Sequence, residues 1–252
     1  MGRLSHAVIQ ALGPLSLNRD VLTRELEQAG RFKAFGGHEK SRAHLSKTLN
    51  EVYADLSFQP QLESILPTQY PAMAPVGEII IRRHGAYRLA STQTRFAGGD
   101  LEREGLLSLV QHAARHRLPL TMPVVTRYTG NQNRPSSKAS LAVMYAPTEN
   151  LPLGMQGNIS VFVVPPARVV AMGMRGDSLM EVARRCGPWL DRWFERHADR
   201  YVADGPLRVL TYNPSVSRDR RSRYFELERP IRPAGEASGF DPMDEMSLDG
   251  VW

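Results

Sequence analysis

The side chains whose chemistry is worth weighing first in this chain are its histidines, its arginine clusters and its single cysteine. His112 and His116 stand four apart in HAARH, a spacing that puts both imidazoles on one helix face and can clamp a metal. The segment lacks the glutamate that a zinc hydrolase uses as base. The pair also lies off the apolar stripe of Leu106, Leu109, Val110 and Ala113, so a solvated helix face is expected. His84 closes the run EIIIRRH beside Arg82 and Arg83, just before Gly85. At a strand end it could ligate iron, pair with a carboxylate, or be a turn residue with no ligand. RDRRSR, 218–223, reads as a solvated loop, with contact to an anion or to nucleic acid as the alternatives. Cys186, alone in the chain, excludes an internal disulfide and reads as a small buried hydrophobe on a helix.

Enzyme chemistry finds little support. There is no serine nucleophile elbow, and FAGGD lacks the spacing of a phosphate-cradling loop. No pair of carboxylates is placed for acid–base work, so a non-catalytic protein is expected. Hydrophobic residues make up 42% of the 252 residues, enough for a sizeable core. No apolar run reaches the length of a membrane span, and the N-terminus lacks the ordered regions of a signal peptide, so a cytoplasmic location is expected. The net charge of +6 is uneven: five acids and no Lys or Arg follow Arg232, while residues 1–232 carry 32 basic against 21 acidic residues. Only four of the basic residues are Lys, and arginine forks suit carboxylates and phosphates. An anionic partner is therefore weighed against a plain compositional bias; nucleic acid rests on charge alone.

The elements that must position these groups follow from periodicity. SRAHLSKTLNEVYADLSF sets Leu45, Leu49, Val52, Tyr53 and Leu56 at helical spacing, with Ser41 able to cap it. An earlier helix is expected to end at Gly30. QPQLESILPTQYPAMAP has four prolines in 17 residues and reads as a linker or extended strap. From residue 76 the pattern becomes strand, helix, strand, strand, and then repeats. The first helix is DLEREGLLSLVQHAARHR. The second is DSLMEVARRCGPWLDRWFERHAD, with Ser178 and Glu181 as a capping box and Pro188 as a kink or restart. Two such units, each unable to cover its own sheet, predict an α+β fold: a twisted antiparallel, barrel-like sheet with two main helices, related by a pseudo-twofold axis. Three regions are expected: an N-terminal helical extension and linker at 1–70, a ligand-binding domain at 71–232, and a flexible acidic tail at 233–252.

LPLTMPVVTRY resembles the Met-Thr-Ala-Pro-Val segment of the SOUL haem-binding family. EIIIRRHGAYRLAST is similar to that family's first strand, SLAVMYAP to its strand ending in Leu-Pro, VFVVPPARVVAMGMRG to the strand leading to Phe-x-Gly, and LTYNPSVSRDRRSRYFELE to its Tyr-Asn-Pro-Pro and Arg-Arg-Asn-Glu-Val-Trp segments. Within the last, Tyr212, Asn213 and Pro214 match, and Ser215 replaces a proline. The resemblance covers roughly residues 71–232. On it, Pro119 ends the helix and Pro123 lies early in the next strand, so that the two aim Met122. The resemblance implies reversible binding of haem or another tetrapyrrole, with Arg82, Arg83, His84, Met122 and Tyr212 around the ligand and His84 as iron ligand. The family's histidine position falls on Arg83, and one step along a strand reverses the side chain, so His84 can serve only if Gly85 or a bulge shifts the register. The alternative is a haem-free small-molecule-sensing or protein-interaction module of the related gyrase-inhibitor-like superfamily, which usually places a glutamate at the pocket floor. Glu226 is the candidate for it, and whether it points inward distinguishes the two.

Overall fold

The computed structural model describes residues 2–12, 16–34, 37–95, 101–128, 138–176, 179–213 and 223–236. Five helices are present: α1 (Gly2–Ala11), α2 (Leu17–Ala34), α3 (His38–Leu56), α4 (Leu101–Arg115) and α5 (Leu179–Arg196). The strands are β1 (Ile79–His84), β2 (Tyr87–Arg95), β3 (Val124–Tyr128), β4 (Lys138–Tyr145), β5 (Gly154–Gln156), β6 (Ile159–Val164), β7 (Ala167–Arg175), β8 (Tyr201–Ala203), β9 (Arg208–Thr211) and β10 (Tyr224–Pro233). They form one ten-stranded sheet in the order β1-β7-β10-β9-β3-β4-β2-β6-β5, with β8 joined to β10. Every strand pair in it is antiparallel. The α+β class and the N-terminal helical region agree with the sequence reading. The sheet stays open and does not close into a barrel, since β1 and β5 end the path.

The strand order carries the repeat. Around the central β9–β3 pair, β9-β10-β7 on one side answers β3-β4-β2 on the other, and in each triplet the helix (α5 or α4) follows the outermost strand in sequence. The strands just before the two units are exchanged: β1 precedes β2 but pairs with β7, and β6 precedes β7 but pairs with β2. Neither half can complete its own sheet.

Both helices lie on one sheet face. Val209, Thr126 and Leu141 stand opposite one another across β9, β3 and β4. Val209 packs in the core that includes Leu190 and Trp193 of α5, and Leu141 packs with Leu109 and Ala113 of α4. Gly105 permits the close approach of α4, because a Cβ there would stand 2.5 Å from Leu141 Cδ1. The alternate residues Leu89, Val125, Ala142, Met144 and Leu210 face the other way, against Phe58, Leu66, Tyr70 and Met73 of the proline-rich segment 57–76. That segment is a strap across the second face.

Residues 2–56 make a three-helix unit with its own small core of Leu12, Leu22 and Val52. It is tied to the sheet region by Leu17 N–H donating to Gly77 O at 2.7 Å and by the Arg175–Asp55 ion pair. The expected α3 stripe is half right: Leu45 and Val52 are buried, whereas Tyr53 and Leu56 are exposed. Ser41 does not cap the helix, which starts at His38; its hydroxyl donates to Ala29 O at 3.1 Å instead. Gly30 does not end α2, and α5 runs through Pro188. The side chain of Cys186, the capping-box residue Ser178, the loop 218–222 and the acidic tail from 237 lie outside the described residues. No described helix is long and apolar enough to cross a membrane.

Candidate functional site

The sequence YFELER of β10 alternates two glutamates with apolar residues, and its position inside the sheet buries both faces. Phe225 and Leu227 go to the α5 core. Tyr224, Glu226 and Glu228 go to the strap face. Both glutamates are wholly buried, which demands partners, because an unpaired carboxylate in such a place costs several kcal/mol.

Those partners come from β1, from β9 and the residue that follows it, and from the strap. Arg82 of β1 grips Glu226 with two fork contacts, Nη1 to Oε1 at 3.0 Å and Nη2 to Oε2 at 2.6 Å. Arg82 Nη2 also donates to Glu228 Oε1 at 3.0 Å. His84 Nε2 lies 2.6 Å from the same Glu228 oxygen. Arg208 of β9 faces Glu228 Oε2 at 3.9 Å and donates to Tyr87 Oη at 3.1 Å. The Tyr212 hydroxyl donates to Glu226 Oε2, and Tyr70 Oη and Tyr212 Oη are 2.8 Å apart. From the strap, Ala74 N–H donates to Glu226 Oε1 at 2.5 Å, and Ala72 O accepts from Arg82 at 2.8 Å. The Tyr224 hydroxyl donates to Ala74 O.

The electrostatics follow. Burial alone would raise the Glu228 carboxyl, but His84 and the two arginines overcome it and hold the group well below the usual carboxylate range. Burial works against the Arg82 cation too, yet Glu228 and Glu226 more than offset it and push the guanidinium further up. Burial, with the charge of Glu226 beside it, drives the Tyr70, Tyr212 and Tyr224 hydroxyls upward, so they act as neutral donors. Aromatic rings close the walls. Arg82 Cζ sits 5.7 Å from the Tyr70 ring centre, and the His84 ring lies between those of Tyr70 and Tyr87 at 5.5 and 6.0 Å. The result is a sealed box of two carboxylates, two guanidiniums, an imidazole and four tyrosines. Three of its four carboxylate oxygens meet hydrogen-bond donors, and the fourth, Glu228 Oε2, has no hydrogen bond and faces Arg208 Nε at 3.9 Å.

The strap is its roof. Val76 bridges to Gly173, and Gly77 N–H donates to Gly173 O at 2.8 Å. A Cβ at Gly173 would stand 2.2 Å from Ala74 O, so only glycine lets the strap backbone lie this close to β7.

Of the residues expected around a ligand, Arg82, His84 and Tyr212 meet here, with Glu226 facing inward. Arg83 does not join them. It is exposed on the opposite face of β1, which pairs with β7 in unbroken register from Ile79–Met172 to His84–Ala167. No bulge therefore moves His84 onto the Arg83 side. Met122 is buried in the α4-side core instead, its N–H donating to Ile65 O at 2.8 Å. Sequence reasoning missed Glu228, Tyr224, Tyr70, Tyr87 and Arg208. The Tyr-x-Glu-x-Glu alternation at 224–228 was the available signal for the first two.

His112 and His116 also depart from expectation. His112 is buried, and both Nε2 atoms point at Gln156 Oε1, at 3.1 and 2.6 Å. The pair fastens α4 to β5. Among the described residues no group of three or more His, Cys, Asp or Glu side chains could hold a metal ion.

No protein-family pattern and no curated protein matches this sequence. Among solved structures the chain is similar to the EcmrR C-terminal domain, at 14% identity and TM-score 0.49 over 62% of this chain and 97% of that one. It is similar to a hydrolase from Listeria innocua at 9% identity and TM-score 0.49, over 63% and 94%. It is also similar to SAV2435 bound to tetraphenylphosphonium at 11% identity and TM-score 0.37, over 62% and 94%. At such identities and TM-scores, neither ligand nor activity passes from them to this chain.

Proposed function

We propose that this protein is a non-catalytic, reversible binder of small aromatic molecules, and that its site is the tyrosine-walled carboxylate box beneath the strap. One observation carries the reading: Glu226 is buried at the floor, inside three tyrosines, and part of its shell is supplied by the strap backbone and not by the sheet. A ligand that lifts the strap removes the Ala74 N–H and the Tyr70 ring, and must replace what they give. An apolar ring system that carries positive charge does so, stacking on Tyr212 and Tyr224 and facing the two carboxylates. Haem or another tetrapyrrole, the ligand implied by the sequence resemblance, is the second reading. It is favoured by His84 lying on the same face as Arg82. It asks more of the site: His84 Nε2 would have to leave Glu228, and the propionates would enter beside two glutamates.

Titration separates these readings. Tetraphenylphosphonium, a lipophilic cation, is expected to bind saturably near the micromolar range, about −8 kcal/mol. Glu226→Gln should weaken it by about tenfold or more, with circular dichroism confirming that the variant folds. Haemin that binds tightly with a Soret shift abolished by His84→Ala would transfer the site to the tetrapyrrole reading. Saturable binding of neither ligand, in the wild type or in a variant whose strap is displaced, would remove ligand binding here.

A further inference from the structure

A second site lies outside the box, in an open groove of about 510 Å³ at the end of β1. It is bordered by the turn between β6 and β7 and by the last residues of β10. Arg83, Arg168, Arg208 and Arg232 line it. Their states differ. Arg232 is tied to Asp204, Nε to Oδ1 at 3.2 Å, and Arg208 is committed to Tyr87 and Glu228 below. Arg83 and Arg168 are exposed and, among the described residues, have no ion-pair or hydrogen-bond partner. They stand directly opposite each other on the β1–β7 ladder, with Ile231 next in the row. Like charges so placed repel across a sheet. Asp204 is used by Arg232, which leaves Glu236 on the rim as the other lining acid.

The walls are rigid. Pro165, Pro166, Pro230 and Pro233 line the groove, and each fixes its own backbone dihedral and offers no N–H. Val164 and Ile231 add apolar surface. A pre-set apolar wall beside two exposed guanidiniums with no partner among the described residues matches a ligand with an apolar body and a strongly charged oxyanion head.

We propose that this groove binds a small molecule bearing a phosphate-type dianionic group, with Arg83 and Arg168 as paired forks on the oxyanion and Arg232 as a third contact. This site is separate from the strap-covered box and does not depend on that reading.

Inorganic pyrophosphate serves as the probe with the full chain, followed by calorimetry and thermal melting. Saturable binding that raises the melting temperature is expected. Arg168→Glu should weaken it by about tenfold or more. The same substitution sets an acid opposite Arg83, so the ligand-free variant should melt no lower than wild type. Arg168→Gln gives a charge-neutral version of the affinity test should the glutamate variant fold poorly. Absence of saturable pyrophosphate binding, or equal binding by Arg168→Gln, overturns the proposal. So does a ligand-free Arg168→Glu protein that melts well below wild type, which would make Arg168 a structural residue. A short single-stranded oligonucleotide that binds through the same arginines in preference to pyrophosphate would overturn the small-molecule assignment and give the groove to a nucleic-acid backbone.

Discussion

At the scale of single residues, the buried carboxylates and guanidiniums among the described residues gather in one place. Arg82 joins both carboxylates, and His84 and Arg208 complete Glu228. Such a network gains little net stability over an apolar core, but loss of one member strands the rest. Its pH response has a definite sign. The folded Glu228 carboxyl titrates below its ordinary value of 4.5, so the unfolded chain binds more protons in acid. The stability it confers is complete above that value and drains away as pH falls toward the folded pKa. Urea midpoints for wild type and Glu228→Gln should therefore be well separated at pH 7 and converge below about pH 4.5. A constant gap down to pH 3 would show that Glu228 does not carry this charge. Parts of the site were legible: Arg82, His84 and Glu226 each stood out by type and position. Their assembly was not, because β1, β9 and β10 meet through registers that no local pattern encodes. The alternation across Arg82, Arg83 and His84 was readable, and it correctly set Arg83 apart from His84.

At the scale of elements, the strap was anticipated as a linker or extended strap, but its part in the site was not. Four prolines and no periodicity mark it as a connection, and the contacts that matter are made by its backbone at Ala72 and Ala74, which residue types do not reveal. Gly173 holds the complementary information in β7. Gly173→Ala should force Ala74 and Pro75 outward, at a cost of about 1–3 kcal/mol. The strap should then be cut early in limited proteolysis within residues 58–76 while the sheet resists. Unchanged cleavage would mean that the strap tolerates the methyl group and is not seated as tightly as its backbone contact implies. The helices were read more easily. Leu109 and Ala113 of α4 follow the expected stripe, and the departure at Ser41 arises where a tertiary partner, Ala29 O, outweighs a local capping preference.

At the scale of the whole molecule, the repeat was visible as order, strand-helix-strand-strand twice, because hydrophobic period survives divergence of residue identity. The exchange of β1 and β6 was not, since a strand's own pattern says nothing of which neighbour it joins. It makes the halves interdependent. Residues 77–150 and 151–236 expressed apart should be insoluble or unfolded, and co-expressed they should associate; a folded, monomeric 77–150 fragment would contradict the exchange. The same exchange also has a consequence in time. During synthesis β1 leaves the ribosome with its neighbour β2, yet Ile79 waits for Met172 and His84 for Ala167. β2 gains β4 early but must wait for β6 on its other side. Until β7 emerges, the nascent chain carries an unpaired apolar strand, Ile79-Ile80-Ile81, of the kind that recruits foreign strands.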